Sequence, residues 1–206
     1  MNFLSRVADY VTLSLLWVLC SLPIVTLGAS TAALDRIMLN EREDKQTNCA
    51  AFFAAFRSNF KKATILWLIL LAAGALLILC LWALGRLPET AGKAVDILLH
   101  AGVLLLFLVW MFGMVHTFPM TSYFENTVGG ILRNSLLVSL LSPLRTLGCM
   151  ILMLLPFPLA FFAADIFLYT LPLWICLWPG AAAYISGGWL LKIYRKFLIP
   201  KTGGGE

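Results

Sequence analysis

The segment from Ala63 to Leu84 contains no charged residue and is apolar almost throughout. As an α-helix it would be about 33 Å long, which exceeds the roughly 30 Å hydrocarbon core of a bilayer. A second uncharged segment, from Val11 to Leu27, is close to the minimum length of a span. Hydrophobic residues make up 61% of the chain and charged residues 12%, against roughly 45–50% and 25% in soluble domains. The sequence therefore predicts a protein surrounded mostly by lipid.

Five apolar segments can be separated, which predicts an all-α fold: a polytopic membrane helical bundle with short amphipathic helices at its cytoplasmic surface. We expect one integral-membrane domain over residues 1–200 and a flexible C-terminal tail at 201–206. Four or six spans are alternatives, because the last two segments contain prolines and could form re-entrant hairpins. The spans are predicted at residues 11–27, 63–84, 97–120, 144–162 and 167–191.

The basic residues indicate an orientation. With five spans, most of the 15 Lys and Arg fall in the link between spans one and two, the link between spans three and four, and the C-terminal segment. Loops rich in Lys and Arg remain in the cytoplasm. We therefore expect the N-terminus outside and the C-terminus in the cytoplasm. Because the net charge of +5 lies beside apolar spans, the predicted partner is the lipid bilayer and no nucleic acid.

The first link contains a polar run from Leu39 to Asn48, which we expect to lie in water. The sequence FFAAFRSNFKKA follows it. At 100° per residue its phenylalanines gather on one side and its cations on the other, as in a helix on a membrane surface. The alternative is the cytoplasmic end of the second span with a collar of basic side chains. The predicted basic and aromatic surface comprises Phe52, Phe56, Arg57, Asn59, Phe60, Lys61 and Lys62.

The first apolar segment contains the string LWVLCSLPIVTLGASTAAL, in which a proline is followed by small and hydroxyl residues. A broken helix exposes backbone groups that transporters use to bind substrates. Small residues, however, also allow close helix packing, and hydroxyls bond back to the backbone, so we favour packing. A cleaved signal peptide is a further alternative, which the proline disfavours. The residues concerned are Trp17, Pro23, Thr26, Gly28, Ser30 and Thr31.

No catalytic motif is found in the sequence, and most ionisable residues fall at predicted span ends, where topology explains them. The five cysteines show no metal-ligand spacing. We therefore expect a non-enzymatic protein without a cofactor or a metal. His116 lies inside an apolar segment just before Pro119. We expect its ring to bond a carbonyl freed by the proline, with a contact to a proton or a substrate as the alternative.

The string LWxxxSLPIVTxGxSTAAL, together with the polar loop and FFAAFRSNFKKA, resembles the YesL family of small bacterial membrane proteins, a domain of unknown function. The resemblance extends over essentially the whole chain, although its later segments are generic. It implies a bacterial plasma-membrane protein whose relatives tend to be encoded with polysaccharide-utilisation and carbohydrate ABC-transport components. We therefore expect an accessory component that binds a carbohydrate permease or another membrane protein. The alternative is a small transporter or channel for a neutral solute such as a sugar. A homo-oligomer is compatible with both.

Overall fold

The computed structural model describes residues 3–43, 45, 47–86 and 92–197. This part of the chain is 91% helical and contains no strand, which confirms the expected all-α bundle. The helices are α1 Phe3–Ser21, α2 Leu27–Arg42, α3 Cys49–Leu84, α4 Lys93–Tyr123, α5 Val128–Leu141, α6 Pro143–Leu154, α7 Pro156–Phe162, α8 Ala164–Cys176 and α9 Trp178–Phe197, with a 3-10 turn at Ile24–Thr26.

Fewer helices than expected are long enough to cross a bilayer. Within the described residues, three qualify by length and hydropathy, namely α3, α4 and the α6–α7 run Pro143–Phe162. The pair Asp165–Cys176 and Trp178–Tyr194 is bent by 62° and can count as a fourth, broken span. The apolar helix Val7–Ser21 is too short for this test. The structure thus supports three or four spans rather than five.

The predicted first span at residues 11–27 is wrong, because α1 and α2 form an antiparallel hairpin. The hydroxyls of Ser21 and Ser30 lie 2.5 Å apart beside the turn. Trp17 Nε1 donates a hydrogen bond of 3.2 Å to Thr31 Oγ1. Near the other end of the hairpin, the Tyr10 hydroxyl donates to Glu41 Oε1 at 3.0 Å. The chain therefore turns back at the proline instead of continuing in one direction.

The hairpin returns the chain to the end of the bundle where it started. At this end Arg42 Nε donates to the carbonyl oxygen of Tyr184 on α9 at 2.7 Å. The Tyr123 hydroxyl, at the end of α4, donates to Glu43 Oε1 at 2.5 Å, and its ring lies 6.0 Å from that of Tyr194 on α9. The start of α1 and the last part of α9 thus share one end. This removes the basis for placing the two termini on opposite sides, since that expectation required a single first span.

Helix α2 lies at the centre of the bundle although it is the least apolar of the larger helices. It packs against α1, α3, α4 and α9. Lipid cannot hydrogen-bond polar groups, so a polar helix is stable in this setting only when other helices enclose it. The expected polar run from Leu39 to Asn48 is therefore wrong in its first part: α2 continues to Arg42, and Leu39 is fully buried.

Helix α3 is continuous from Cys49 to Leu84, and the Asn48 side chain caps it by accepting from the backbone N–H of Ala51 at 2.8 Å. Its 36 residues extend for about 54 Å, so the basic segment is the extension of the span, as the collar alternative predicted. The predicted span at 97–120 lies within α4. The last two predicted spans are each interrupted, at Leu155 and Leu177. The predicted tail at 201–206 lies outside the described residues.

Candidate functional site

The turn between α1 and α2 is stabilised by contacts within the protein. Pro23 has an extended conformation that stops α1. The Thr26 hydroxyl lies 2.6 Å from the carbonyl oxygen of Cys20 and 2.8 Å from that of Pro23. From α3, Trp67 Nε1 donates to the carbonyl oxygen of Ile24 at 2.7 Å. The carbonyl oxygens of Cys20, Pro23 and Ile24 are therefore already bonded within the protein.

The small residues after the turn allow α2 to approach α3 closely. A Cβ atom on Gly28 would lie 2.6 Å from Trp67 Cβ and 2.7 Å from the carbonyl oxygen of Ala63. Ser30 and Thr31 each donate to the carbonyl oxygen of Leu27, besides their bonds to α1. Each hydroxyl or small residue of the string thus has a structural contact. These contacts favour the packing interpretation.

The tip of the hairpin is apolar and exposed. Leu22 is 73% exposed, Ile24 66% and Val25 50%. Such a tip is stable in the hydrocarbon region of a bilayer but unfavourable in water. The hairpin therefore has the features of a segment inserted into lipid, with its polar atoms turned toward the protein.

Only part of the predicted basic and aromatic surface is on the surface. Phe52 is fully buried in a core cluster with Leu13 and Ile37, and Phe56 is partly buried against the same cluster. The expectation that the ring faces the membrane is wrong for Phe52, because this side of α3 faces the α1–α2 hairpin. The partly buried ring of Phe56 also lies 5.4 Å from that of Phe60. Asn59 Nδ2 donates to the carbonyl oxygen of Ala55, one turn earlier in its own helix.

The remaining members of that surface are accessible. Phe53 is 48% exposed and Phe60 37% exposed. Arg57 and Lys61 are also exposed, whereas Lys62 is half-buried. At 100° per residue, Phe53, Arg57, Phe60 and Lys61 fall within an arc of about 100° on α3. These two cations therefore lie beside the exposed rings, and the expectation that they occupy the opposite side of the helix is wrong. We call these four residues the basic-aromatic face.

His116 is fully buried, but its partner differs from the expected one. Its Nε2 atom lies 3.0 Å from the hydroxyl of Thr146 on α6. The Nε2 atom therefore bonds a side-chain hydroxyl and not, as expected, a backbone carbonyl freed by the proline. Its Nδ1 atom has no hydrogen-bond partner among the described residues. The ring is 6.3 Å from the ring of Tyr194.

Asp35 is the polar residue that sequence reasoning missed. Like most ionisable residues it was expected at a predicted span end, but it lies in the middle of α2 and is only 5% exposed. Its Oδ2 atom has no hydrogen-bond partner within the described part of the chain. A buried acidic group without a partner is costly, so Asp35 is a candidate functional residue. The sequence signal was an acid that follows a run of small residues and precedes, after Arg36, the apolar residues 37–39.

A cavity of about 370 Å³ reaches Asp35 from the side of the bundle. It lies between α2, α4, α6 and α7, and apolar side chains form nearly all of its wall. Thr31 is its other polar residue on α2, and its hydroxyl is already engaged with Trp17 and Leu27. The cavity is large enough for a small organic ligand.

Three of the buried polar side chains that the structure describes come from three different helices. Among the described residues, no group of three or more His, Cys, Asp or Glu could hold a metal ion. Helices α2, α4 and α9 contribute Asp35, His116 and Tyr194. Each of these three side chains has a polar atom that lacks a hydrogen-bond partner in the described part of the chain. These three side chains can bind a ligand by hydrogen bonding and by electrostatic attraction.

These features define a class of protein: a multi-pass α-helical membrane protein with a buried polar centre and no soluble domain among its described helices. Residues 10–80 match a family described as a protein of unknown function, DUF624. This family is the YesL family, so the match confirms the resemblance over the α1–α2 hairpin and most of α3. No curated protein and no solved structure matches the chain.

Proposed function

We propose that this protein is a non-enzymatic accessory protein of the bacterial plasma membrane that binds another membrane protein. The observation that carries the proposal is the basic-aromatic face of α3. Its two rings are exposed beside two cations on a helix too long to be contained in the bilayer. Aromatic residues and Arg are enriched in protein interfaces, and no other helix in the described part of the chain covers these side chains.

The partner we propose is the permease of a carbohydrate ABC transporter. This choice rests on the resemblance to the YesL family, whose relatives tend to be encoded with such transporters. The basic-aromatic face would then contact an acidic, apolar surface at the cytoplasmic end of the permease. The bound rings supply most of the contact area, and the cations set the orientation of the two proteins.

We also propose that both termini lie in the cytoplasm. The end of the bundle that holds the start of α1 and the last part of α9 also carries the α2–α3 link and the basic start of α3. By the positive-inside rule this end belongs in the cytoplasm.

The test is crosslinking in native membranes, followed by purification in a mild detergent and identification of co-purifying proteins. Wild-type protein should recover a permease in stoichiometric amounts, whereas a variant with Arg57→Glu and Lys61→Glu should lose most of it. The matched control is Arg133→Glu, an exposed charge reversal on α5, which should recover the permease normally. Equal recovery by the double variant, or recovery of the protein alone from wild-type membranes, would count against this function.

Transport of a neutral solute such as a sugar is a second candidate, favoured by the cavity between candidate spans. Under this proposal, Thr31→Val or His116→Phe should change sugar flux into liposomes at equal protein content, as should Thr26→Val at the hairpin turn. Unchanged flux in all three variants would rule it out. The cavity wall is nearly all apolar, whereas a sugar needs many hydrogen-bond partners, so we rank this function second.

A further inference from the structure

We propose that the cavity beside Asp35 is a binding site for a lipophilic amine, an apolar chain with one protonated amino group, that enters from the bilayer. This inference goes beyond the proposed partner binding. The cavity and the basic-aromatic face have no lining residue in common.

The inner end of the cavity determines the charge of the ligand. Asp35 is 5% exposed, and its Oδ2 atom lacks a partner among the described residues. The neighbouring cation Arg36 does not bind it; its Nη1 atom donates to the carbonyl oxygen of Ser122 at 3.0 Å. A buried carboxyl group calls for a donor, and a cationic donor forms the stronger hydrogen bond.

The wall of the cavity determines the rest of the ligand. Four methionines contribute to it, two from α4 and two from α6. Their flexible thioether chains adapt to aliphatic ligands of different shapes. The aromatic rings of Trp110 and Phe118 form another part of the wall. Such a surface can pack against an alkyl chain, but it offers no hydrogen bonds to a polar chain.

The mouth of the cavity indicates the route of entry. Phe157 is 67% exposed, and Met153 and Leu154 are 36% and 39% exposed. All three lie in the candidate span Pro143–Phe162, so their exposed surface faces lipid. Leu27 and Asp35 line the cavity on α2, about 12 Å apart along the helix. An amphiphile can therefore enter laterally and place its amino group at Asp35.

The test uses the full chain in lipid nanodiscs and a long-chain primary alkylamine that carries a photoreactive diazirine. Crosslinked peptides are located by mass spectrometry, with dodecylamine or dodecanol as competitor. We expect labelling of the peptides around Met114 and Met153. Because a hydrogen bond to a charged group strengthens binding by about tenfold or more, dodecylamine should compete about tenfold better than dodecanol.

Two variants separate a binding site from a structural role of the carboxyl group. Asp35→Asn keeps the shape but should abolish the preference for the amine, whereas Asp165→Asn, an exposed acid on α8, should retain it. Met153→Trp narrows the mouth and should reduce labelling, without altering Asp35. Equal competition by the amine and the alcohol in the wild-type protein would overturn the proposal even if Asp35→Asn failed to fold. So would labelling distributed evenly over lipid-facing helices.

Discussion

Replacing Gly28 by alanine tests whether the small residues after Pro23 are required for the close packing of α2 against α3. The new Cβ atom would lie 2.6 Å from Trp67 Cβ and 2.7 Å from the carbonyl oxygen of Ala63. Both atoms belong to the rigid part of α3, so the two helices must move apart. Overpacking of this kind costs about 1–3 kcal/mol.

Alanine also gains helix propensity over glycine, which offsets about 1 kcal/mol of that cost. Subtracting this gain from the overpacking cost leaves a net loss of up to about 2 kcal/mol in the free energy of unfolding. For a chain of this size that corresponds to a fall in Tm of up to about 8 °C. The Tm is measured by thermal unfolding of the purified protein in one detergent.

The matched control is Gly102→Ala in α4, where a new Cβ atom would have no neighbour within 4 Å. Only the gain in helix propensity remains there, so its Tm should stay the same or rise slightly. If Gly28→Ala behaved like Gly102→Ala, the close contact between α2 and α3 would not be a property of the protein, and the packing interpretation would fail.

Three further predictions concern the core, the buried histidine and the topology. Phe52→Ala should lower the free energy of unfolding by about 3–5 kcal/mol, since the ring is fully buried. The control Phe53→Ala should change it by less than about 0.5 kcal/mol. Similar Tm values for the two variants would refute the assignment of Phe52 to the buried side of α3. Thr146→Val should cost about 1–3 kcal/mol because it removes the partner of His116 Nε2, and an unchanged Tm would contradict that bond. Reporter domains fused to either end of the chain should be active on the same side of the membrane, and activity on opposite sides would contradict the hairpin.

The apolar spans could be predicted from the sequence because composition and length alone decide whether a helix is stable in lipid. The uncharged run from Ala63 to Leu84 lies within α3, and the predicted span at 97–120 lies within α4. The break at Pro23 was also visible, since proline removes a backbone donor. The direction of the chain after the break was not, because it depends on contacts such as that between Trp17 and Thr31.

Whether a residue of a membrane helix faces the protein interior or the lipid was harder to predict. In a soluble protein, apolar residues mark the buried face, but in lipid the exposed face is apolar as well. Two leucines in the predicted span of α3 illustrate this: Leu66 is buried and Leu68 is exposed, although both are equally hydrophobic. Asp35 was misplaced for a related reason, since a charged residue near the end of an apolar segment usually marks the membrane surface.

The sequence by itself thus determined that this protein is a bundle of membrane helices, where its long spans lie and where its first helix breaks. Lipid allows only helices that satisfy their own backbone, so those properties are local. Only the tertiary structure decided that the chain reverses at Pro23, that α2 becomes the centre of the bundle and that Asp35 faces a cavity. These properties depend on contacts between residues far apart in the chain, which no local pattern of hydrophobicity specifies.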